Sequence, residues 1–341
     1  MKRILSFLLA LALSLSLCAC AAPGEKADDG KLQIVTTLFP YYDFARAIAQ
    51  DRADVTLLLS PGREAHSFEP TPLDAVTISE ADVFLYNGGE GEYWVESMLD
   101  AAGEHIAVAS RMMDYVDALN EEYVEGMQGA DGHDHDHEHG SHDDHDDHDD
   151  HDHDHEEDEH DSDEIEYDEH IWTSPKNAVV LCRAVCDAIC RADAENAAFY
   201  RANCENYCAQ LEDLDVRFAA LCESATRRLL IFADRFPMLY FCREYGLDYR
   251  AAFHGCSGDT EPSLATIKFL IDKVEDENIP VVYTIDFGTK KVAAVVSECT
   301  GAAIGTIYSM QTVSRADFDA GETYLTLMER NFEALRKGLN A

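Results

Sequence analysis

At 341 residues, with 46% hydrophobic side chains, the chain is long enough to form two domains of ordinary size, each with a core of its own. The formal net charge of −41 excludes nucleic acid as a partner, because phosphate backbones are bound by an excess of Lys and Arg. The chain contains no HExxH or comparable signature of a zinc hydrolase, so the sequence does not predict an enzyme.

The amino terminus has the pattern of a bacterial lipoprotein signal. An apolar run over residues 4–17 follows Lys2 and Arg3, and it is too short to span a bilayer comfortably. Leu17 and Ala19 precede Cys20 as in a lipobox, so Cys20 is predicted to become the lipidated first residue of the mature protein. We expect a signal peptide over residues 1–20, a polar tether over 21–30, and anchoring at the outer face of the bacterial cytoplasmic membrane. An ordinary signal peptide without lipidation is the alternative.

Strands and helices alternate from residue 31 onward. Apolar runs predict strands over residues 31–37, 54–59, 81–87 and 106–109, and helical patterns lie between them over 40–50, 73–80 and 92–102. This alternation is typical of a parallel sheet covered by helices on both faces. His66 follows the second strand on a loop flanked by Pro61 and Pro72, where α/β proteins often position ligand-binding groups.

Residues 131–164 form a stretch dominated by His and acidic side chains. It holds eleven of the 15 histidines and has too few apolar residues to form a core, so we expect a disordered loop. Imidazole and carboxylate groups together suit zinc, with nickel and copper as competitors. A solvated acidic spacer is the alternative, but a run of Asp alone would fit that interpretation better. The predicted metal contacts in the loop are His133, His135, His137, His139, His142, His145, His148, His151, His153, His155 and His160.

The second half repeats the alternation of the first. The stretch EYDEHIWTSP over residues 166–175 contains His170 and ends in Ser174 and Pro175, which predict a helix start. Helices are predicted first over 176–191 and 194–222. Strands then follow over 228–233, 249–253, 281–285 and 303–307, with helices over 238–244, 263–277, 290–298 and 324–339. Two similar α/β lobes are therefore expected.

Nine cysteines remain after the signal and the lipidated residue, an odd number that cannot pair fully within one chain. Cys182, Cys186 and Cys190 share one face of a predicted helix, as do Cys204 and Cys208. Because this spacing matches neither a zinc ribbon nor a redox CxxC motif, we expect small, buried, apolar side chains. A disulfide between Cys190 and Cys204 is the alternative.

In the order and spacing of these motifs, the chain resembles the ZnuA-like group, the periplasmic or lipid-anchored solute-binding proteins of zinc and manganese ABC importers. The resemblance covers essentially everything from Leu32 onward. It rests on GREAHSFEPTP around His66, on the histidine-rich insert, on DEHIWTSP around His170, and on the later stretches YGL and EPS. It implies two lobes, residues 31–174 and 192–341, joined by one linking helix over 175–191, with the metal in the cleft between them.

The same resemblance implies that His66 and His170 are metal ligands from the first lobe. The second lobe departs from the family pattern, so its ligands stay open between two candidates. Asp234, directly after a predicted strand, is the first candidate because a carboxylate can bind zinc. His254, after the next strand, is its rival, and Asp286 could compensate for the family's missing final carboxylate.

The resemblance implies a monomeric receptor, not an enzyme, that captures zinc and delivers it to an ABC permease in the membrane. The histidine loop favours zinc, because manganese prefers oxygen ligands. Two alternatives remain: a manganese receptor of the same family, and a metal-buffering or adhesion lipoprotein that feeds no importer.

Overall fold

The computed structural model of the chain describes residues 30–63, 68–103, 106–127, 166–258 and 261–340. The predicted signal peptide, Cys20, most of the tether, His66 and the whole histidine-rich loop lie outside the described residues. None of the helices in the described ranges has the length and hydropathy that crossing a membrane requires.

Four short apolar strands form the first sheet, all parallel and in the order β2-β1-β3-β4. They are β1 (Leu32–Thr36), β2 (Ala53–Leu57), β3 (Val83–Tyr86) and β4 (Val108–Arg111), and the helices between them are α1 (Phe39–Ala49), α2 (Pro72–Ser79) and α3 (Val95–Ala102). Because the carboxyl ends of parallel strands share one edge, β2 and β3 end at the same edge of this sheet.

Two long helices, α4 (Pro175–Ala192) and α5 (Ala197–Glu223), separate the two sheets in the sequence. Ser174 caps α4 by accepting a hydrogen bond from Asn177 N, and Pro175 occupies the first helical position. Helix α4 packs against α1, β3 and β4. With 27 residues, α5 is about 40 Å long at 1.5 Å per residue. It contacts α1 in the first lobe and the helices Leu239–Tyr245 and Tyr324–Leu339 in the second.

The second sheet repeats the strand order of the first. Its strands β5 (Leu229–Arg235), β6 (Asp248–Phe253), β7 (Val281–Ile285) and β8 (Ala303–Ile307) are all parallel, in the order β6-β5-β7-β8. The remaining helices are α6 (Leu239–Tyr245), α7 (Leu264–Asp276), α8 (Lys291–Thr300), α9 (Arg315–Asp319) and α10 (Tyr324–Leu339). The predicted fold class, two similar α/β lobes with parallel sheets, is confirmed.

One hydrophobic cluster runs through both lobes. It includes Ile34 of β1, Leu211 of α5, Phe232 of β5 and Leu335 of α10, all essentially inaccessible to solvent. A second, smaller cluster covers the other face of the second sheet around Val282. The lobes are therefore joined by continuous packing as well as by the chain.

Buried hydrogen bonds add to this connection. The Trp172 indole Nε1 donates to the carbonyl of Ser309, at 2.8 Å, from a segment that precedes α4 to one that follows β8. The Tyr324 hydroxyl donates to the carbonyl of Trp172 at 2.7 Å. Asp43 of α1 accepts from the Tyr207 hydroxyl at 2.5 Å and from Tyr324 N at 2.9 Å. Two of these bonds attach the Trp172 segment, next to His170, to the second lobe.

Many predicted boundaries differ from the observed ones by one to three residues, and β5 extends to Arg235, so Asp234 lies inside this strand and not directly after it. Strand β4 begins two residues later and extends to Arg111, where it pairs with Tyr86 of β3. The helix predicted over residues 92–102 opens with a 3-10 turn, Glu90–Glu92, and is α-helical only from Val95. The five-residue helix α9 has too short a periodic pattern to be predicted.

Candidate metal centre

His170 lies in the short segment that enters α4, and it is 2% exposed. Asp168, fully buried, accepts a hydrogen bond from His170 N at 2.7 Å, and its Oδ1 lies 3.1 Å from His170 Nδ1. A carboxylate that accepts from one imidazole nitrogen fixes the tautomer and leaves the other nitrogen as a lone-pair donor. Metal-binding histidines commonly make this contact with a carboxylate through the ring nitrogen that does not bind the metal.

The charges around His170 favour a cation. Burial lowers the pKa of His170, but the Asp168 carboxylate, followed by Glu121 and Glu169, more than offsets burial, so the pKa is raised. Burial also raises the pKa of Asp168, partly offset by His170. Several buried carboxylates surrounding one imidazole create a negative potential that a divalent cation would relieve.

The cavity beside His170 lies between the lobes. It is small, ≈ 20 Å³, and its remaining walls come from the second lobe. Those residues follow or end the four strands of the second sheet, at its carboxyl edge, where open α/β sheets bind ligands. The lining residues are His170, Arg235, Pro237, Gly255, Ile285, Phe287, Ser309, Gln311 and Thr312.

Gly255 brings the second lobe into close contact with His170. A Cβ atom at this position would lie 3.0 Å from His170 Nδ1 and 2.9 Å from the carbonyl oxygen of Phe236. Both distances are shorter than ordinary van der Waals contact, so only glycine fits without displacement of a neighbour. The loop after β6 is thereby packed directly onto the imidazole of His170.

His254 precedes Gly255 on that loop and faces Glu121. The His254 Nδ1 lies 3.6 Å from Glu121 Oε1, and the two rings of His254 and Tyr123 have centroids 5.0 Å apart. Burial lowers the pKa of His254, while Glu121 and then Glu166 raise it, and the net direction is upward. His170 and His254 thus share an electrostatic neighbour in Glu121.

Glu121 was not among the residues predicted from the sequence. Its backbone N donates to the carbonyl of Glu166 at 2.9 Å, and Asn120 pairs with Tyr167 in an antiparallel bridge. Glu121 Oε1 also accepts from Cys256 N at 3.0 Å. Glu121 and Glu166 are therefore neighbours, and both lie near His254. The separation of 133 residues between Glu121 and His254 hid this contact from sequence reasoning.

Asp234 has a different environment at the end of β5. Its Oδ2 accepts hydrogen bonds from the Thr284 hydroxyl and from Ile285 N, and its Oδ1 accepts from Arg235 N. Oδ2 also lies so close to Gly288 that a Cβ there would meet it at 1.8 Å. These contacts hold the Asp234 carboxylate within the second lobe. Among the described residues, the ligand atoms of His170, Asp234 and His254 do not all approach within 4.8 Å of one another.

Asp286, predicted as a possible substitute for the family's final carboxylate, lies next to Ser309 of the cavity wall. It follows β7 and accepts a hydrogen bond from Ser309 N at 3.2 Å. Burial raises its pKa to about 6, although that bond to Ser309 opposes the shift. Asp286 therefore helps to fix the Ser309 segment that lines the cavity.

Comparison with known proteins agrees with this geometry. The family described as the zinc-uptake complex component A periplasmic, ZnuA, matches residues 34–338. The chain belongs to the ZnuA family. The resemblance noted from the sequence motifs is thereby confirmed.

Two curated relatives illustrate the extent of the match. The high-affinity zinc uptake system protein ZnuA of Bacillus subtilis (strain 168) is 31% identical over 312 residues, covering 91% of this chain and 88% of that protein. The zinc-binding lipoprotein AdcA of Streptococcus pneumoniae (strain ATCC BAA-255 / R6) is 29% identical over 318 residues. That match covers 93% of this chain but only 58% of AdcA.

Solved structures of ZnuA family members share the fold. The Zn(II)-bound ZnuA-like domain of S. pneumoniae AdcA aligns with a TM-score of 0.69 and 25% identity, over 92% of this chain and 100% of that domain. The metal-dependent lipoprotein YcdH of B. subtilis aligns with a TM-score of 0.70 and 28% identity, over 91% and 100% of the two chains.

Proposed function

We propose that this member of the ZnuA family is the extracytoplasmic solute-binding component of an ABC importer, which captures zinc and delivers it to a membrane permease. The observation that carries the proposal is His170, buried at the interlobe cavity with its Nδ1 held by Asp168. The names of the relatives support zinc as the cargo: a high-affinity zinc uptake protein and a zinc-binding lipoprotein. A receptor needs a cleft that holds the ion and no catalytic group beside it.

The proposed ligands are His66 and His170 from the first lobe and one residue from the second. His254 is the better supported of the two second-lobe candidates, because its loop packs on His170 through Gly255. Asp234 is the weaker candidate, because three donors of its own lobe already engage its carboxylate. Two or three imidazoles favour zinc over manganese, which prefers oxygen ligands.

The histidine-rich loop, residues 131–164, is proposed to collect zinc at low affinity and to pass it to the cleft. The support for this role is the position of Glu121 and Glu166, which precede and follow the loop in the sequence and lie together beside His254. A weakly bound ion leaving the loop would first meet this carboxylate and imidazole group, and His170 lies within electrostatic reach of Glu121.

The remaining features of the proposal concern location and organisation. The chain is proposed to be a monomer anchored by lipid on Cys20 at the outer face of the cytoplasmic membrane, after cleavage of the signal peptide leaves Cys20 as the first residue. Residues 31–174 form the proposed first lobe, 175–191 the linking helix and 192–341 the second lobe. The relative AdcA is named a zinc-binding lipoprotein, which supports the proposed lipid anchor.

Calorimetric zinc titration of the protein lacking residues 1–20 tests the proposal. We expect the cleft site, which is the tight site that depends on His170, to survive deletion of residues 131–164 while weaker sites disappear. His170→Ala should weaken the tight site by at least about 100-fold, the size expected for loss of a ligand. Asp234→Asn serves as the control, because the amide oxygen can replace part of the carboxylate's hydrogen bonding and zinc affinity should stay within about threefold.

If deletion of residues 131–164 abolished all tight zinc binding, the protein would instead be a surface metal buffer. Growth distinguishes the importer from an adhesion or buffering protein. Deletion of the gene should impair zinc-limited growth, and rescue should require both this protein and a functional permease. Rescue without any permease would contradict the importer role.

A further inference from the structure

A group of cysteines lies between α4 and α5, away from the proposed zinc cleft. Hydrogen bonds run from the Cys204 thiol to the Cys182 carbonyl at 3.8 Å and from the Cys208 thiol to the Val179 carbonyl at 4.0 Å. The partner on α4 has a lower residue number where the residue on α5 has a higher one, so the two helices are antiparallel. The buried cysteines facing this seam are Cys182, Cys186, Cys190, Cys204 and Cys208.

Three of these thiols converge on one point. The Sγ atoms of Cys182, Cys204 and Cys208 all lie within 4.8 Å of one another, and those of Cys204 and Cys208 are 3.8 Å apart. In the described part of the chain, no other group of three His, Cys, Asp or Glu side chains has its ligand atoms this close together. The thiol of Cys186 interacts with that of Cys204 and stands beside the three.

The spacing fits a metal ion better than a disulfide. At a Zn–S distance of about 2.3 Å, sulfurs in trigonal or tetrahedral coordination lie about 3.8–4.0 Å apart. Cys204 and Cys208 already have this separation one helical turn apart. A disulfide would need sulfurs about 2.05 Å apart and would use only two of the three thiols.

We propose that Cys182, Cys204 and Cys208 form a buried thiolate centre for one thiophilic d¹⁰ metal ion, Zn(II) or Cu(I), with Cys186 as the neighbouring fourth sulfur. Soft thiolates select these ions over hard cations. The centre links α4 to α5, as metal sites in helix bundles link facing helices. It is separate from the proposed cargo site and goes beyond the role of an importer component.

Charge and access agree with the proposal. Three thiolates around Zn(II) carry a net charge of −1, and the guanidinium of Arg183 on α4 interacts electrostatically with Cys204 and Cys208. A surface pocket of ≈ 350 Å³ is lined by Cys190, together with Tyr115 and Arg201. Cys190 Sγ lies 4.0 Å from Cys186 Sγ, so a row of sulfurs leads from the pocket to the three converging thiols.

Co(II) titration of the reduced, metal-free protein tests the proposal, because only thiolate ligands give intense near-ultraviolet charge-transfer absorption with Co(II). We expect the amplitude of the band to correspond to one thiolate-bound Co(II) per chain, and we expect Zn(II) or, anaerobically, Cu(I) to displace it. The ion that displaces Co(II) at the lower free concentration is the one that the centre binds more tightly. The double variant Cys182→Ser, Cys208→Ser should lose the band.

Two variants serve as controls. Cys222→Ser removes a buried cysteine of α5 outside the group and should keep the band. His170→Ala should also keep it, so a failed cleft and a failed thiolate centre give different results. Absence of the band in the reduced wild-type protein would overturn the proposal, as would its persistence in the double variant.

A second measurement covers the case in which the double variant does not fold. Alkylation of the wild-type protein, followed by peptide mapping, should slow at least tenfold at Cys182, Cys204 and Cys208 when Zn(II) is bound, and stay unchanged at Cys222. Equal alkylation rates with and without the metal would refute the centre. So would a disulfide among the three thiols in protein isolated with its thiols blocked at lysis.

Discussion

Replacement of Gly255 by alanine tests the close packing at the interlobe cavity. The added Cβ would lie 2.9 Å from the Phe236 carbonyl oxygen, 3.0 Å from His170 Nδ1 and 3.1 Å from His170 Cε1. Ordinary contact at a Cβ begins near 3.4 Å, so a neighbour must move by about 0.5 Å. The Phe236 atom belongs to the backbone and cannot rotate away, so the imidazole of His170 or the whole loop after β6 must shift.

The expected cost follows from overpacking of a tight site. Insertion of one carbon into a well-packed region typically costs about 1–3 kcal/mol. For a chain of this size each 1 kcal/mol lowers Tm by about 2 °C, so Gly255→Ala should lower Tm by about 2–6 °C. Displacement of His170 from its hydrogen bond with Asp168 should weaken zinc binding at the proposed site by about tenfold or more, equivalent to ~1.4 kcal/mol.

Scanning calorimetry and chelator competition measure the two effects separately. Gly258→Ala is the matched control on the same loop, because a Cβ there has no atom within 4 Å. The control should keep both Tm and zinc affinity. If the two variants behave alike, the loop after β6 does not constrain His170 and the reasoning fails. A lower Tm with full zinc affinity would leave the packing argument intact but remove His170 from the site.

Three further variants probe other contacts of the cavity and core. Asp168→Asn keeps the side-chain volume but weakens the hold on His170 Nδ1, so zinc affinity should fall about 10–100-fold in chelator competition while circular dichroism stays unchanged. Trp172→Phe removes the indole donor to the Ser309 carbonyl and should lower the free energy of unfolding in urea by about 1–3 kcal/mol. Burial raises the pKa of Glu92 from 4.5 to about 7, so the folded state loses stability as pH rises through this range, by on the order of 3 kcal/mol. Glu92→Gln should remove this contribution and make the variant more stable than the wild type at pH 8 but not at pH 4.5.

Each of these expectations can fail in a recognisable way. Unchanged zinc affinity in Asp168→Asn would mean that Asp168 does not orient a ligand. An unchanged urea midpoint in Trp172→Phe would mean that the bond between the lobes contributes little. Parallel stability curves for Glu92→Gln and the wild type between pH 4.5 and 8 would show that Glu92 titrates normally in the folded protein.

The secondary structure could be predicted well because its signals are local. Strands β7, VVYTI, and β8, AIGTI, are short segments rich in β-branched residues, and their predicted ranges match the observed ones. Helix α10 also begins and ends where predicted, with a capping box formed by Thr323 and Thr326. Errors occurred where tertiary pairing sets the boundary, as at β4.

The candidate site was less predictable, because its contacts join distant parts of the chain. The motif around His170 could be recognised, but the role of Gly255 depends on how closely two loops approach. Asp234 lies at a strand end, as expected of a ligand, yet the sequence could not show that Thr284 and Ile285 engage it. Likewise, the cysteine spacing on each helix was visible, whereas the convergence of three thiols required the packing of α4 on α5.

The hydrophobic cluster that runs through both lobes has a consequence for cooperativity. Two halves that share one core cannot melt independently, so heating should give a single calorimetric transition with equal calorimetric and van't Hoff enthalpies. Either half expressed alone would expose the apolar surface that it buries against the other, and it should aggregate instead of remaining a soluble half-receptor. The two similar lobes are thus expected to fold and unfold as one cooperative unit.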